Sequence, residues 1–150
     1  MSLAAIGWPF TLGVLAHNTE EALYLPAWSA HAANGIPVGA SALHFAAVAL
    51  SILFVAVTAA ASYPRLESVA SYLMAGYVLA MALNVFVPHV LATLFSRQYM
   101  PGTATATLLN LPLGLLYLQK AVSEQYIQSR VFIGPVLWSF WLSRLCFQHC

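Results

Sequence analysis

The chain places His17-Asn18-Thr19-Glu20-Glu21 inside an otherwise apolar stretch. Residues three and four apart share a helix face, so on a helix His17 stands beside both Glu20 and Glu21. Imidazole nitrogens and carboxylate oxygens are ligands for Zn²⁺ or Fe²⁺. The same groups are a general acid and base. Other apolar stretches carry His44 and His89, the further candidate ligands, and Asn84 and Asn110. Tyr24, Tyr77, Thr107 and Tyr117 are the candidate supporting donors, with the two asparagines, around such a site.

The elements that must position these residues are membrane helices. Of 150 residues, 61% are hydrophobic and 6% charged, against roughly 25% charged in an ordinary soluble domain. The net charge of +1 comes with no basic run, which excludes nucleic acid as a partner. Apolar stretches at 3–24, 38–61, 69–95 and 103–118 each come near the roughly 20 residues that cross the hydrocarbon. Ser62-Tyr63-Pro64-Arg65 and Tyr99-Met100-Pro101-Gly102 read as turns. The expected fold is all-α, an integral membrane up-down four-helix bundle over residues 1–122. Residues 123–150 form a tail in which a short fifth span and an interfacial segment both fit. Cys146 and Cys150 read as free thiols of that tail. The N-terminus lacks the basic region of a signal peptide, so the first helix is expected to stay in the membrane. Arg65, Lys120 and Arg130 fall on the N-terminal side against Arg97 on the other, which predicts a multi-pass protein with a cytoplasmic N-terminus.

Depth links the polar residues. His17 to Glu21 precede the end of the first helix, and His44 lies about two turns into the second. His89 lies about two turns before the end of the third, and Asn110 about two turns into the fourth. One buried layer is the expected result. Charges at such depth cost about 2.5–3.5 kcal/mol each on the insertion scale, so they must face the bundle interior. Prolines reinforce the layer: Pro88 frees the carbonyl of Asn84, and Pro112 that of Leu108. Asn84 and His89 stand about 140° apart on an ideal helix, so a bend at Pro88 is needed to aim both inward.

The motif His17-Asn18-Thr19-Glu20-Glu21, Asn84 with His89, and Tyr99-Met100-Pro101-Gly102-Thr103 leading into Asn110-Leu111-Pro112 stand in order. In these blocks the chain resembles a family of small bacterial membrane proteins named for their HxxEE motif, over about residues 8–120. The resemblance implies a membrane helical bundle and names no activity. After Lys120 the chain departs from it.

Three functions fit these residues. The first is a single-metal enzyme acting on a hydrophobic or lipid-like substrate, with His17, Glu20, Glu21, His44 and His89 as the ligand pool for one Zn or Fe ion. A di-iron site wants about four carboxylates, and Glu67 and Glu124 fall outside the spans. The second is a metal-free isomerase or cyclase in which Glu20, Glu21 and His17 act as acid and base on a lipid-soluble molecule. The third is a non-catalytic subunit or ion pathway. A homo-oligomer or a larger membrane complex is compatible with all three.

Overall fold

The computed structural model describes residues 2–31, 39–63, 66–128 and 130. The tail expected to hold a fifth span or an interfacial segment lies, beyond 130, outside the described residues. Among the described residues every regular element is helical: α1 Leu3–His31, α2 Ala40–Ala61, α3 Val69–Ser96 and α4 at 103–123. Sequential helices are neighbours, and α4 closes back on α1, so α1 and α3 face each other across the interior.

Local chemistry sets the helix limits. Ser68 opens α3 by accepting the Ser71 N–H at 3.2 Å. Arg97 ends it in the left-handed region at φ 54°. The first helix runs longer than the sequence reading had it, through Pro26 to His31. A proline has no N–H, so Pro26 leaves the Ala22 carbonyl without its helical partner. His44 Nε2 lies 2.9 Å from that carbonyl and replaces the missing donor.

Pro88 and Pro112 each accompany a widened winding of their helix. Helix α3 is interrupted at Val87 (φ −126°, ψ 111°), just before Pro88, within the wide turn Val85–Val90. Leu91 N–H then reaches back five residues to the Phe86 carbonyl. In α4 the wide turn Ala106–Asn110 precedes Pro112, and Leu111 N–H bonds the Ala106 carbonyl. Such five-residue turns recur at functional sites because they re-aim side chains.

The apolar core occupies one end of the bundle. Leu3, Ile6, Phe10 and Val14 of α1 meet Phe54 and Val57 of α2, Met74 and Val78 of α3, and Tyr117 of α4. Phe10 and Phe54 pack at 5.7 Å between ring centroids. The segment after α4 folds back here: Ile127 is buried, and the Tyr126 carbonyl accepts the Glu67 N–H. Gly114 makes the close approach possible, since a Cβ there would stand 3.1 Å from Val78 Cγ1 and 3.2 Å from Phe10 Cε2. The first half of α2 lies outside this core; its buried residues begin at Phe54.

Two glycines on neighbouring helices should therefore respond in opposite ways. Gly114→Val should cost about 1–3 kcal/mol of stability by overpacking. Gly76, with no atom within 4 Å of a built Cβ, should gain about 0.5–1 kcal/mol on substitution by Ala through helix propensity. Thermal unfolding in detergent measures both; a neutral Gly114→Val would refute the packing described.

Candidate functional site

At the other end of the bundle the interior turns polar. His17 and His89 are 1% and 0% exposed, while the Glu21 side chain between them keeps 21% of its surface. Glu21 Oε2 lies 3.7 Å from His17 Nε2, one helical turn away. Glu21 Oε1 lies 3.3 Å from His89 Nε2, across the interior. The two imidazoles meet edge to face, with centroids 4.8 Å apart and an 81° interplanar angle. One ligand atom from each of the three residues falls within 4.8 Å of the others.

The hydrogen bonds fix the His17 tautomer. Its Nδ1 is 3.1 Å from the Gly102 carbonyl and 3.2 Å from Thr105 Oγ1. A carbonyl only accepts, so Nδ1 carries the proton and the lone pair sits on Nε2. Asn84 Nδ2 stands 3.4 Å from that nitrogen, placed to donate. The predicted bend at Pro88 does what the spacing demanded. Asn84 and His89, five residues apart, stack through the wide turn and both face inward.

His89 is different. Both of its ring nitrogens are buried and without a hydrogen-bond partner among the described residues. Leaving such groups unsatisfied costs about 1–3 kcal/mol each.

The connection between α3 and α4 lies directly on these rings. Gly102 has φ +92°, and a Cβ there would meet His89 Cε1 at 2.7 Å and His17 Cε1 at 2.9 Å. Only glycine takes that backbone conformation cheaply and leaves room for the rings. Met100, Pro101 and Gly102 are buried, while Tyr99 is half exposed. The Tyr99 hydroxyl donates to Glu20 Oε1 at 2.5 Å, and the Thr105 hydroxyl to Glu20 Oε2 at 2.8 Å. Tyr99 in turn accepts the Ala104 N–H at 3.0 Å. Desolvation of the hydroxyl, and then its bond to Glu20, hold Tyr99 above its ordinary pKa of 10.

Several candidate residues fall elsewhere. Glu20 turns away from the two histidines toward the Tyr99 and Thr105 hydroxyls. His44 is exposed, on the part of α2 that lies outside the core, and is spent on the Ala22 carbonyl. The expected layer therefore draws on α1, α3 and α4, not on α2. Tyr24 is 61% exposed. The Tyr77 ring packs on Phe54 at 5.0 Å, and Tyr117 lies against Gly7, about 15 Å along α1 from His17. Thr107 turns back to the Thr103 carbonyl of its own helix at 2.7 Å. Asn110 is fully buried as expected, but its amide packs against Gly13, with neither polar atom hydrogen-bonded among the described residues. Sequence reasoning missed Gly102, Thr105 and Tyr99. Tyr99 and Gly102 stood in the block Tyr99-Met100-Pro101-Gly102-Thr103 but were read as a connection, and Thr105 offered only a hydroxyl at the start of the fourth helix.

Comparison with known proteins agrees with the resemblance. The profile of the family described as "Protein of unknown function with HXXEE motif" matches residues 8–117. The chain is also 29% identical over 135 residues to the uncharacterized protein YrkK of Bacillus subtilis (strain 168), covering 85% of each chain. No solved structure matches. With the motif's histidine and second glutamate at the buried cluster, and the profile spanning all four helices, the chain belongs to the HXXEE family.

Proposed function

We propose that this chain is a multi-pass membrane protein in which His17, Glu21 and His89 hold one divalent cation, zinc or ferrous iron, and that it acts on a hydrophobic or lipid-like substrate. The observation that carries the metal reading is the fully buried His89 ring, whose nitrogens make no hydrogen bond among the described residues, beside a carboxylate and a second imidazole. Two histidines and one carboxylate are a recurrent catalytic ligand set that leaves coordination positions open. Spacing fits as well. Bonds of about 2.0–2.1 Å at tetrahedral angles put ligand atoms about 3.3–3.4 Å apart, and Glu21 Oε1 is 3.3 Å from His89 Nε2. The widest separation, up to 4.8 Å, exceeds the roughly 4.2 Å two such bonds can span, so the three side chains would have to draw in slightly to hold an ion.

A bound ion supplies Lewis acidity toward a polar group of the substrate. The protein's own groups do the rest. Gly102 and Thr105 hold the His17 Nδ1 proton, which keeps the Nε2 lone pair aimed at the ion. Asn84 Nδ2, relieved of that lone pair, is free to donate to the substrate. Glu21 is the one member of the three with exposed surface, so the approach to the cluster runs along its side chain.

Support for the membrane setting comes from where apolar surface lies. Helices α2 and α3 are long and apolar enough to cross a bilayer, yet only 11% and 22% of their most apolar stretches are buried. The core helix of a soluble protein would be mostly covered, whereas here Phe45, Ile52, Leu83 and Leu94 are more than half exposed. Lipid is the solvent that accepts such faces.

Elemental analysis of protein purified without chelators should find close to one zinc or iron per chain. His89→Ala and Glu21→Ala should each lower that occupancy by roughly tenfold or more, while His44→Ala should leave it unchanged. A folded wild type that takes up no divalent metal would overturn the metal reading. It would leave Glu21 and the two histidines as a metal-free acid–base cluster. The membrane reading predicts that the expressed chain sediments with membranes and resists alkaline carbonate extraction; recovery in the soluble fraction without detergent would sink it.

A further inference from the structure

The adjacent glutamates of the motif point in different directions. Glu21 faces the two imidazoles. Glu20, one residue earlier, gives both oxygens to hydroxyls from the α3–α4 connection and the first turn of α4. Those hydroxyls flank a short strap of chain at 99–105. Tyr99 starts it and ties its far end by accepting the Ala104 N–H. Gly102 forms its middle and lies on the edges of both imidazoles. The Gly102 carbonyl accepts from His17, so the strap also orients a ring that it covers.

We infer that the two glutamates divide the work, Glu21 facing the ion and Glu20 anchoring the Tyr99–Thr105 strap that closes over it. This rests on reading His17, Glu21 and His89 as a metal site. Glu20 is thus a positioning residue and not a ligand. An ionised carboxylate is a stronger acceptor than a neutral amide, which explains why a carboxylate is used where two hydroxyls must be held at once. Met100 and Pro101 are buried, and Thr93 Oγ1 of α3 accepts the Met100 N–H at 3.2 Å and lies 3.1 Å from Thr103 Oγ1, so the middle of the strap is seated on α3. Glu20 is what ties its two ends, Tyr99 and Thr105, to α1. Released, it would uncover the imidazole edges and let Nδ1 of His17 lose its acceptor.

The test compares Glu20→Gln, Tyr99→Phe and the double variant with the wild type, all loaded with zinc. The single variants should keep the wild-type zinc stoichiometry but release zinc to a chelating dye roughly tenfold faster, the effect expected for losing a hydrogen bond to a charged group. The double variant should release it no faster than Glu20→Gln alone, because both changes cut the same tie. In metal-free protein, the Ala104 amide should exchange its hydrogen faster in Glu20→Gln, although Tyr99, its own acceptor, is still present. Zinc stoichiometry that falls in Glu20→Gln as far as in Glu21→Gln would make Glu20 a ligand and overturn the inference. Unchanged release and unchanged Ala104 exchange would overturn it too. If the wild type takes up no zinc, the metal reading fails, and the exchange measurement still decides whether Glu20 holds the strap.

Discussion

Two imidazoles and a carboxylate withdrawn from water are the constraint to which the rest of this bundle answers. His17 meets it conventionally: one nitrogen donates to a carbonyl and a hydroxyl, and the other lies beside an amide. His89 makes no hydrogen bond among the described residues, and its Nε2 has the Glu21 carboxylate at 3.3 Å. A side chain of that size, fully enclosed and unbonded, is costly in any solvent and more so within apolar surroundings. The neighbouring Glu21 carboxylate lies 3.3 Å from His89 Nε2 and 3.7 Å from His17 Nε2, so one acidic side chain stands between both imidazoles.

Backbone irregularity is what brings these groups together. A regular helix sends residues five apart to different faces, yet Asn84 and His89 face one interior because the chain winds wide and breaks at Val87. The wide turn at Ala106–Asn110 in α4 has no such result, since Asn110 packs against Gly13 and does not join the cluster. Gly102 completes the set by supplying a backbone conformation and a missing Cβ in the same place. Pro26 belongs to the same group with the opposite result. The carbonyl it frees is taken up by His44, which removes that histidine from the candidate ligands.

Much of this was legible in the sequence, for identifiable reasons. Four apolar stretches separated by Pro- and Gly-containing turns specify four helices, and the three-and-four spacing of His17, Glu20 and Glu21 specifies a shared face. Placing Asn84 with His89 needed only the geometry of Pro88. What failed was rotational phase. Depth along an axis follows from counting residues, but the face that His44, Tyr77 or Tyr117 presents depends on where each helix meets its neighbours. Sequence also gave no means of telling Glu20 from Glu21, since both lie near His17 on a helix. Only the hydroxyls of Tyr99 and Thr105, brought in from another element, separate them.

The two ends of the bundle are held by different forces, and this bears on how the polar end can work. At one end Phe10, Phe54, Met74, Val78 and Tyr117 interdigitate, and dense packing of that kind permits little movement. At the other end the first half of α2 contributes nothing to the core, and a groove of about 630 Å³ runs between it and α1. Cohesion there comes from directional contacts: Asn18 to Ser51, His44 to Ala22, and the strap's bonds to Glu20 and His17. A hydrogen bond contributes only about 0.5–1.5 kcal/mol net, so this end depends on several such contacts together. A rigid apolar end therefore fixes the helix axes and the depth of the histidines. The polar end is held by separate directional contacts and by the close seat of Gly102 on the two imidazoles.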